Sequence, residues 1–467
     1  MGKERAMEEV IVHVDFKGLP LSPEHLCEVL AALKSKGATG VLLEWEDVFP
    51  YSGTLQCLGR AEACYSPDEV RRVLEAALAL GLEVIPLVQT VGHLEFALKH
   101  DTFAALREDP DDYGTLCPVL QDSHVFIKEL INQVAQLHLH STRMHIGCDE
   151  PTLGISAQTS AAAAADVDGL AGVLAEHVCS TCAALSDVGA GRSLRALMWH
   201  DAAVSMPEGC LERLLSSGVR CVCWDYTSLD YPDRPAVAFA ERLQRRGAAP
   251  YIATAYKGGD ASDAVVPNRA VRHDNQLAWR SWAQRSGANS LSGVVLTGWS
   301  RFGHLAPLTE MLPAGWSTLS EALQLWSGSH ERRDALAASP LDELYARLNA
   351  HCEQVGAART ALEALEKEWK NNTRPATIRE PSPKFVNTVR AKALILSSEL
   401  AGLELSCSLQ LEEAAVFRCK RDVAEWVECK VREARMRAEA ISEQSRMRVE
   451  PLEAVCASRQ SAFSALA

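Results

Sequence analysis

The sequence predicts an α/β protein: a (β/α)8 TIM barrel followed by a C-terminal helical module. Three observations point there. Eight short runs rich in β-branched and apolar residues recur through roughly the first two thirds of the chain, amphipathic helical patterns fill most of the gaps, and from about Leu341 onward the pattern is helical only. Strands that alternate with helices imply βαβ units with right-handed crossovers and a parallel sheet. Eight such units in this length close a barrel. A doubly wound open sheet is the alternative, but no Gly-rich phosphate loop supports it.

The predicted strands are residues 11–16, 40–46, 83–89, 143–150, 194–201, 219–226, 251–257 and 293–299. Between them, residues 23–36, 67–80, 123–139, 168–187, 234–246 and 269–285 place apolar side chains at three- and four-residue spacing, the period of a helix with one buried face. Further on, Leu348, Val355, Leu362 and Trp369 lie seven apart, with Leu344, Ala358 and Leu365 on a second seam and His351 its weak member. A heptad over so few turns indicates bundle packing. Residues 371–383 hold three prolines and read as a loop, after which residues 385–448 resume the helical pattern. Residues 432–446, short of large apolar side chains, are expected to run exposed. The expected domains are therefore a barrel over 1–335 and a helical module over 336–467. The module is expected to pack on the barrel or, in a homodimer, on a second subunit.

Composition excludes several classes. Sixty-one acidic residues against 47 Lys and Arg give a formal charge of −14, which argues against nucleic acid as a partner. No apolar run is long enough to span a bilayer, so no membrane association is expected. The polar, acidic N-terminus lacks the apolar core of a secretory signal. A cytoplasmic setting, with a nuclear one alongside it, is expected, and the 15 Cys then read as reduced thiols. No His/Cys/Asp cluster has metal-ligand spacing, so neither a metal nor another cofactor is expected.

Nearly every predicted strand ends in polar or aromatic residues: Asp15 and Lys17; Glu46 and Asp47; Gln89, then His93; Asp149 and Glu150; Trp199 and Asp201; Trp224, Asp225 and Tyr226; Lys257; Trp299 and Arg301. In a barrel these ends converge on one rim, where active sites sit. Strand ends are often polar, but that alone explains poorly a rim rich in carboxylates and tryptophan. Such a rim suits a sugar, whose hydroxyls need acceptors and donors and whose C–H faces pack on indole. Glycoside hydrolysis generally uses two carboxyl groups about 5–9.5 Å apart. Asp149 and Glu150 are adjacent, and neighbours on a strand point to opposite sides. That favours an arrangement in which one acid protonates the leaving oxygen and the other orients a nucleophile carried by the substrate, such as a 2-acetamido group.

The segment His145-Ile146-Gly147-Cys148-Asp149-Glu150 resembles the His-x-Gly-x-Asp-Glu signature of glycoside hydrolase family 20. With segments 46–51, 89–95, 197–201, 223–227 and 296–299, it is similar to the hexosaminidase D-like branch of that family over roughly residues 10–330. The resemblance implies a retaining exo-β-N-acetylhexosaminidase that removes terminal N-acetylgalactosamine or N-acetylglucosamine from a glycoconjugate or oligosaccharide, through an oxazolinium intermediate. It implies that Glu150 is general acid and then base, that Asp149 orients the acetamido group, and that Tyr226 donates to the acetamido oxygen. Trp199, Trp224 and Trp299 would wall the pocket. His93 would support the acid pair, and Asp15, Lys17, Glu46, Asp47, Asp225 and Arg301 would contact the sugar. Two departures stand out: Cys148 precedes Asp149 where secreted relatives have Gly, and Lys17 lies near their Arg. A β-glycosidase with two separated rim carboxylates, such as Glu46 and Glu150, and a catalytically dead sugar-binding barrel are the alternatives.

Overall fold

The computed structural model describes residues 7, 9–188, 192–227, 234–287, 290–328, 339–373 and 382–464. Eight parallel strands close a barrel in chain order: β1 (Val10–Asp15), β2 (Gly40–Glu44), β3 (Glu83–Leu87), β4 (Arg143–His145), β5 (Arg195–Trp199), β6 (Arg220–Trp224), β7 (Tyr251–Lys257) and β8 (Gly293–Gly298), with β8 returning to β1. Inward side chains fill the interior: Ile11, Leu42, Ile85, Leu197, Val222, Tyr251 and Val295 belong to one buried cluster capped by Trp199. The barrel is a packed core, and its chemistry must lie at the rim.

The helices α1 (Pro23–Ser35), α2 (Pro67–Ala79), α3 (Glu95–Leu98), α4 (Gln121–Leu137), α5 (Ala157–Ala165), α6 (Leu170–Ser186), α7 (Glu208–Ser216), α8 (Pro235–Arg245), α9 (Arg269–Ser286) and α10 (Leu312–Ser327) belong with the barrel. Their starts are written in the sequence. Ser22 accepts from the His25 amide ahead of α1, and Ser66 and Glu69 form a reciprocal capping box on α2.

Seven of the eight predicted strands end too late. Strand β4 stops at His145 rather than at Glu150, and β2 at Glu44 rather than at Glu46, where a 3-10 turn (Glu46–Val48) begins. The apolar pattern runs on past the point where the backbone leaves the ladder. Asp149 and Glu150 therefore sit on a loop, and strand alternation is not what separates their side chains.

The chain divides into two compact units. The first is Met1–Tyr345 with Val416–Cys419, and the second is Ala346–Ala415 with Lys420–Ala467. In the first, Ser22 N–H donates to the Val416 carbonyl and Arg418 N–H to the Pro20 carbonyl, both at 2.8 Å. The Arg418 guanidinium reaches Glu69 at 2.8 Å and the Cys64 carbonyl at 2.9 Å, over the Tyr65 ring.

The second unit is helical: most of α11 (Pro340–Thr373), then α12 (Pro383–Glu413), α13 (Lys420–Val427), a π-helical turn (Glu428–Arg432) and α14 (Glu433–Ser464). The heptad residues Leu348, Val355, Leu362 and Trp369 are buried. Three expectations are corrected. Residues 371–373 are helical rather than loop, and Pro383 opens α12 because a first-turn proline loses no hydrogen bond; residues 374–381 lie outside the described residues. The expected stretch 385–448 is interrupted where Ala415 turns left-handed, φ 49°. Residues 432–446 do not simply run exposed: Ala434, Ala438, Ile441 and Ser445 are buried, and the small Ala434, Ala438 and Ser445 let α14 lie close to its neighbours. Among the described residues, no single helix is long and apolar enough to cross a membrane.

At the end of the barrel opposite the rim, Arg143 is held by Glu83 (Nε to Oε1, 2.9 Å), by Glu9 (2.7 Å) and by the Tyr251 hydroxyl. Replacing Arg143 with Met should leave both carboxylates, each about one-third exposed, without their nearly buried cation. We expect a loss of about 3 kcal/mol, read from the shift in urea midpoint. A loss under about 0.5 kcal/mol, the value of an exposed pair, would show that this ion cluster does not hold the barrel floor.

Candidate active site

A cavity of about 260 Å3 opens at the carboxyl ends of the strands. Residues at or just past the end of every strand except β2 line it: Lys17, Gln89, His93, Asp149, Glu150, Trp199, Trp224, Tyr226, Gly258, Gly259, Asp260, Trp299, Arg301 and Phe302. Its volume is below the roughly 300–1,000 Å3 usual for drug-sized ligands, a size for one small ring.

Local backbone geometry delivers the carboxylates. After β4 the chain turns left-handed at Gly147 (φ 66°), Cys148 (φ 68°) and Glu150 (φ 46°). Only Gly adopts this conformation cheaply. Gly147 is required for a second reason, since a Cβ there would collide with the Gln89 side chain. Cys148 is buried, with its Sγ 3.2 Å from Thr90 Oγ1. The turn leaves Asp149 buried and Glu150 open at the rim, with side-chain exposures of 11% and 61%.

His93, itself left-handed at φ 50°, lies between them. Its Nε2 is 3.3 Å from Glu150 Oε2 and 3.6 Å from Asp149 Oδ2, and its Nδ1 is 3.9 Å from Glu95. Burial pulls the imidazole pKa down, but Asp149, the bond to Glu150 and Glu95 outweigh it and hold it up at about 10. Burial pushes the Asp149 pKa up to about 6, against the pull of His93. The hydrogen bond from His93 holds Glu150 below the usual carboxylate range. Burial thus favours the neutral form of Asp149, while the hydrogen bond from His93 favours the ionised form of Glu150.

The aromatic walls are hydrogen-bonded into position. Trp299 Nε1 donates to the Tyr226 hydroxyl at 3.1 Å, Trp224 stacks on Tyr226 with centroids 5.3 Å apart, and the Trp199 and Trp299 rings are 5.6 Å apart. Lys17, nearly buried, reaches Glu44 at 2.5 Å and lies 3.5 Å from both Asp15 and Glu46, with its ammonium 5.3 Å from the Trp299 ring centre. Burial lowers the Lys17 pKa, but the three carboxylates outweigh it, so the side chain is a fixed cation under the pocket wall.

The structure thus gathers Glu150, Asp149, Tyr226, Lys17, His93, Trp199, Trp224, Trp299 and Arg301 around one cavity. Asp15, Glu46, Asp47 and Asp225 are not among the lining residues. Asp15 accepts from the Ser300 and Lys17 amides, Glu46 pairs with His304 at 2.7 Å, and Asp47 lies 3.5 Å from both Arg60 and His304. Asp225 is tied to Arg234 at 2.9 Å and to the Thr227 amide at 2.8 Å, so it fastens the loop after β6 instead of facing the cavity. With Glu46 outside the lining, a pairing of Glu46 with Glu150 across the cavity lacks one partner. Sequence reasoning gave no role to Asp201, whose carboxylate accepts from the Glu150 amide at 2.8 Å and from Trp224 Nε1 at 2.9 Å, linking the acid to the wall. It also missed Asp260 and Phe302 on the loops after β7 and β8. The only signal for Asp201 was its place, two residues beyond the last residue of β5. Among the described residues, no group of three or more His, Cys, Asp or Glu is arranged to hold a metal ion.

These features define a class: a TIM barrel whose strand-end loops set an acid pair and a shared histidine in a tryptophan-walled pocket. The family model "Glycosyl hydrolase family 20, catalytic domain" matches residues 25–242. Hexosaminidase D of Homo sapiens is 38% identical over 322 residues, which is 68% of this chain and 65% of that protein. Hexosaminidase D of Bos taurus is 34% identical over 317 residues, 67% of this chain and 90% of that protein. The chain belongs to glycosyl hydrolase family 20. The aligned part spans just under two thirds of the human relative's length, 65%. Solved structures agree on the fold: a β-N-acetylhexosaminidase from Bacteroides fragilis NCTC 9343 matches with TM-score 0.51 at 15% identity, over 74% of this chain and 69% of that one. An exo-β-N-acetylglucosaminidase from Vibrio harveyi matches with TM-score 0.52 at 15% identity, over 71% and 56%.

A raised His93 pKa has a defined sign. The charged imidazole stabilises the fold fully below its unfolded pKa of about 6.5, and that contribution is lost as pH rises through about 10. By NMR, the His93 ring should remain protonated at pH 8, and Asp149→Asn should bring its midpoint down. A ring already neutral at pH 7 would refute the charge assignment.

Proposed function

We propose that this protein is a retaining exo-β-N-acetylhexosaminidase using substrate-assisted catalysis. One observation supports this above all: Asp149 Oδ1 is buried without a protein partner in a pocket walled by Trp199, Trp224 and Trp299, beside the open carboxyl of Glu150. A buried carboxylate oxygen with nothing to accept from is costly. An acetamido N–H supplies the missing donor, and the three indoles take its methyl group and the sugar face. The Tyr226 hydroxyl, held by Trp299, donates to the acetamido oxygen and aligns it behind the anomeric carbon. Proton balance follows. An N–H bound to Asp149 favours its carboxylate, a sugar over Glu150 desolvates and raises that acid, and the shared proton moves to Glu150, where the leaving oxygen needs it. The acetamido oxygen then displaces the aglycone to give an oxazolinium ion, and Glu150 deprotonates the water that opens it with net retention.

Glycoconjugates or oligosaccharides ending in N-acetylgalactosamine or N-acetylglucosamine are the proposed substrates, with no cofactor. The fourteen described cysteines, all unbridged, support work in a reducing compartment such as the cytoplasm or nucleus; subcellular fractionation tests that assignment.

Glu150→Gln should slow aryl N-acetylhexosaminides on the order of 10²–10⁴-fold, with the loss shrinking for leaving groups of low pKa. Asp149→Asn should slow even activated substrates, because it acts on the acetamido group. An equal loss from Glu150→Gln for good and poor leaving groups would refute the acid assignment.

Proton NMR of the first product should show the β-anomer, and an initial α-anomer would end the retaining proposal. Lys17 is a point charge that lacks the planar fork of Arg, so the pocket should tolerate both C4 epimers. We expect activity on both aryl glycosides with the galactosaminide preferred in kcat/KM. A clear preference for the glucosaminide would show that hydroxyl recognition is built otherwise.

A further inference from the structure

We propose that α9 is the positioning element of the acetamido site: Arg272, Asn275 and Trp279 act through the backbone around Tyr226 and hold its hydroxyl in place. The inference rests on the role proposed above for Tyr226. A barrel helix ordinarily turns apolar side chains to the sheet and leaves its charged and amide groups in water. Here α9 departs from that pattern, for Arg272, Asn275, Gln276 and Arg280 are buried beside Trp279 and Trp282. Polar groups taken out of water need partners, and three of these side chains find theirs on the loop that carries Tyr226.

Residues 272, 275 and 279 follow the three- and four-residue spacing of one helical face. Their targets are three consecutive carbonyls. Asn275 Nδ2 donates to the Asp225 carbonyl at 2.8 Å and to the Thr227 carbonyl at 2.7 Å, Trp279 Nε1 donates to the Asp225 carbonyl at 3.0 Å, and Arg272 Nη2 donates to the Tyr226 carbonyl at 3.0 Å. Strand β6 ends at Trp224, and the Asp225 amide keeps only a long bond, 3.4 Å, to the Ala253 carbonyl of β7. Where the ladder gives out, α9 supplies the donors that the backbone requires.

Arg272 also ties this loop to the cavity wall. Its Nη2 lies 3.0 Å from Asp260 Oδ1, while Asp260 Oδ2 accepts from the amide of Asn268, the residue that caps α9, at 2.8 Å. Asp260 and Gly259 line the cavity, and a Cβ at Gly259 would collide with the Arg272 guanidinium. The side chain therefore passes directly behind that wall and joins the loop after β7 to the loop after β6. Tyr226 is thus fixed at both ends, its backbone by α9 and its hydroxyl by Trp299 Nε1 at 3.1 Å. A hydroxyl at the far end of a phenol magnifies any rotation at its backbone, and a misplacement of about 1 Å at a reacting centre can cost on the order of 100-fold in rate.

Kinetics of the full chain on an aryl N-acetyl-β-hexosaminide, with a thiazoline mimic of the oxazolinium ion as inhibitor, test this. Arg272→Met should lower kcat/KM by about 10–100-fold, chiefly in kcat, and weaken thiazoline binding by a similar factor. Arg272→Lys should recover part of the loss, because one ammonium can still reach one of the two acceptors. Tyr226→Phe removes the hydroxyl that the clamp positions, so adding Arg272→Met to it should cost little more, whereas independent losses would multiply. Asn275→Ala, the smaller change, should show the same non-additivity and carries the test if Arg272→Met does not fold. Losses that multiply in both double variants, or thiazoline binding untouched by Arg272→Met and by Asn275→Ala, overturn the clamp while leaving the role of Tyr226 intact. A fully active Tyr226→Phe variant would overturn the role of Tyr226 and the clamp with it.

Discussion

One imidazole sets the electrostatics of the barrel mouth. His93 lies 3.6 Å from Asp149 and 3.3 Å from Glu150, two carboxylates of very different burial. Without a cation between them, two anions so placed would repel, and burial would push Asp149 further toward its neutral form. With the cation in place, both carboxylates have a partner of opposite charge within 4 Å. The backbone accepts strain for this. His93, Cys148 and Glu150 are all left-handed non-glycine residues, and each carries a cost of the order of 1 kcal/mol. Such outliers persist where the surrounding structure over-determines them. Here the carboxylate of Asp201 does so, by taking the Glu150 amide and the Trp224 indole together.

The carboxylates around Lys17 serve a different end. Asp15 and Glu44 are register partners on β1 and β2, so their side chains reach the rim at one level, and Lys17 lies over both. The Lys17 ammonium also lies over the Trp299 face, and Trp299 holds the Tyr226 hydroxyl. The charge beneath the pocket floor is thus joined to the aromatic wall of the cavity through one tryptophan. This explains why acids that do not line the cavity, such as Asp15, still lie under it.

Apolar periodicity revealed the barrel, because β-branched runs alternating with amphipathic helices admit few other packings, and β7 was read to the residue. The other strands were read to end too late. Hydrophobic side chains continue beyond the last ladder bond, and Gly147, which opens the turn after β4, was read as part of the strand. Asp225 and Asp201 look alike in sequence, each within two residues after a tryptophan at a strand end. What separates them is distant in the chain: Arg234 claims the first, and the Glu150 amide claims the second. The buried side of α14 was missed because Ala434 and Ala438 bury themselves by being small, a signal that a scale of hydrophobic bulk does not register.

The four residues Val416–Cys419 complete the first unit from deep within the sequence of the second. On the ribosome the barrel emerges first, yet the partners of Glu69 and of the Leu21 backbone are made only after all of residues 346–415. Domains ordinarily fold in order of synthesis. This one must wait, its α1–α2 corner unfinished, while most of the helical unit is translated. Neither unit is therefore a cassette. A gene fusion or an exon boundary placed after Tyr345 would cut the last stitch of the barrel along with the bundle, which ties the inheritance of the catalytic unit to that of its helical companion.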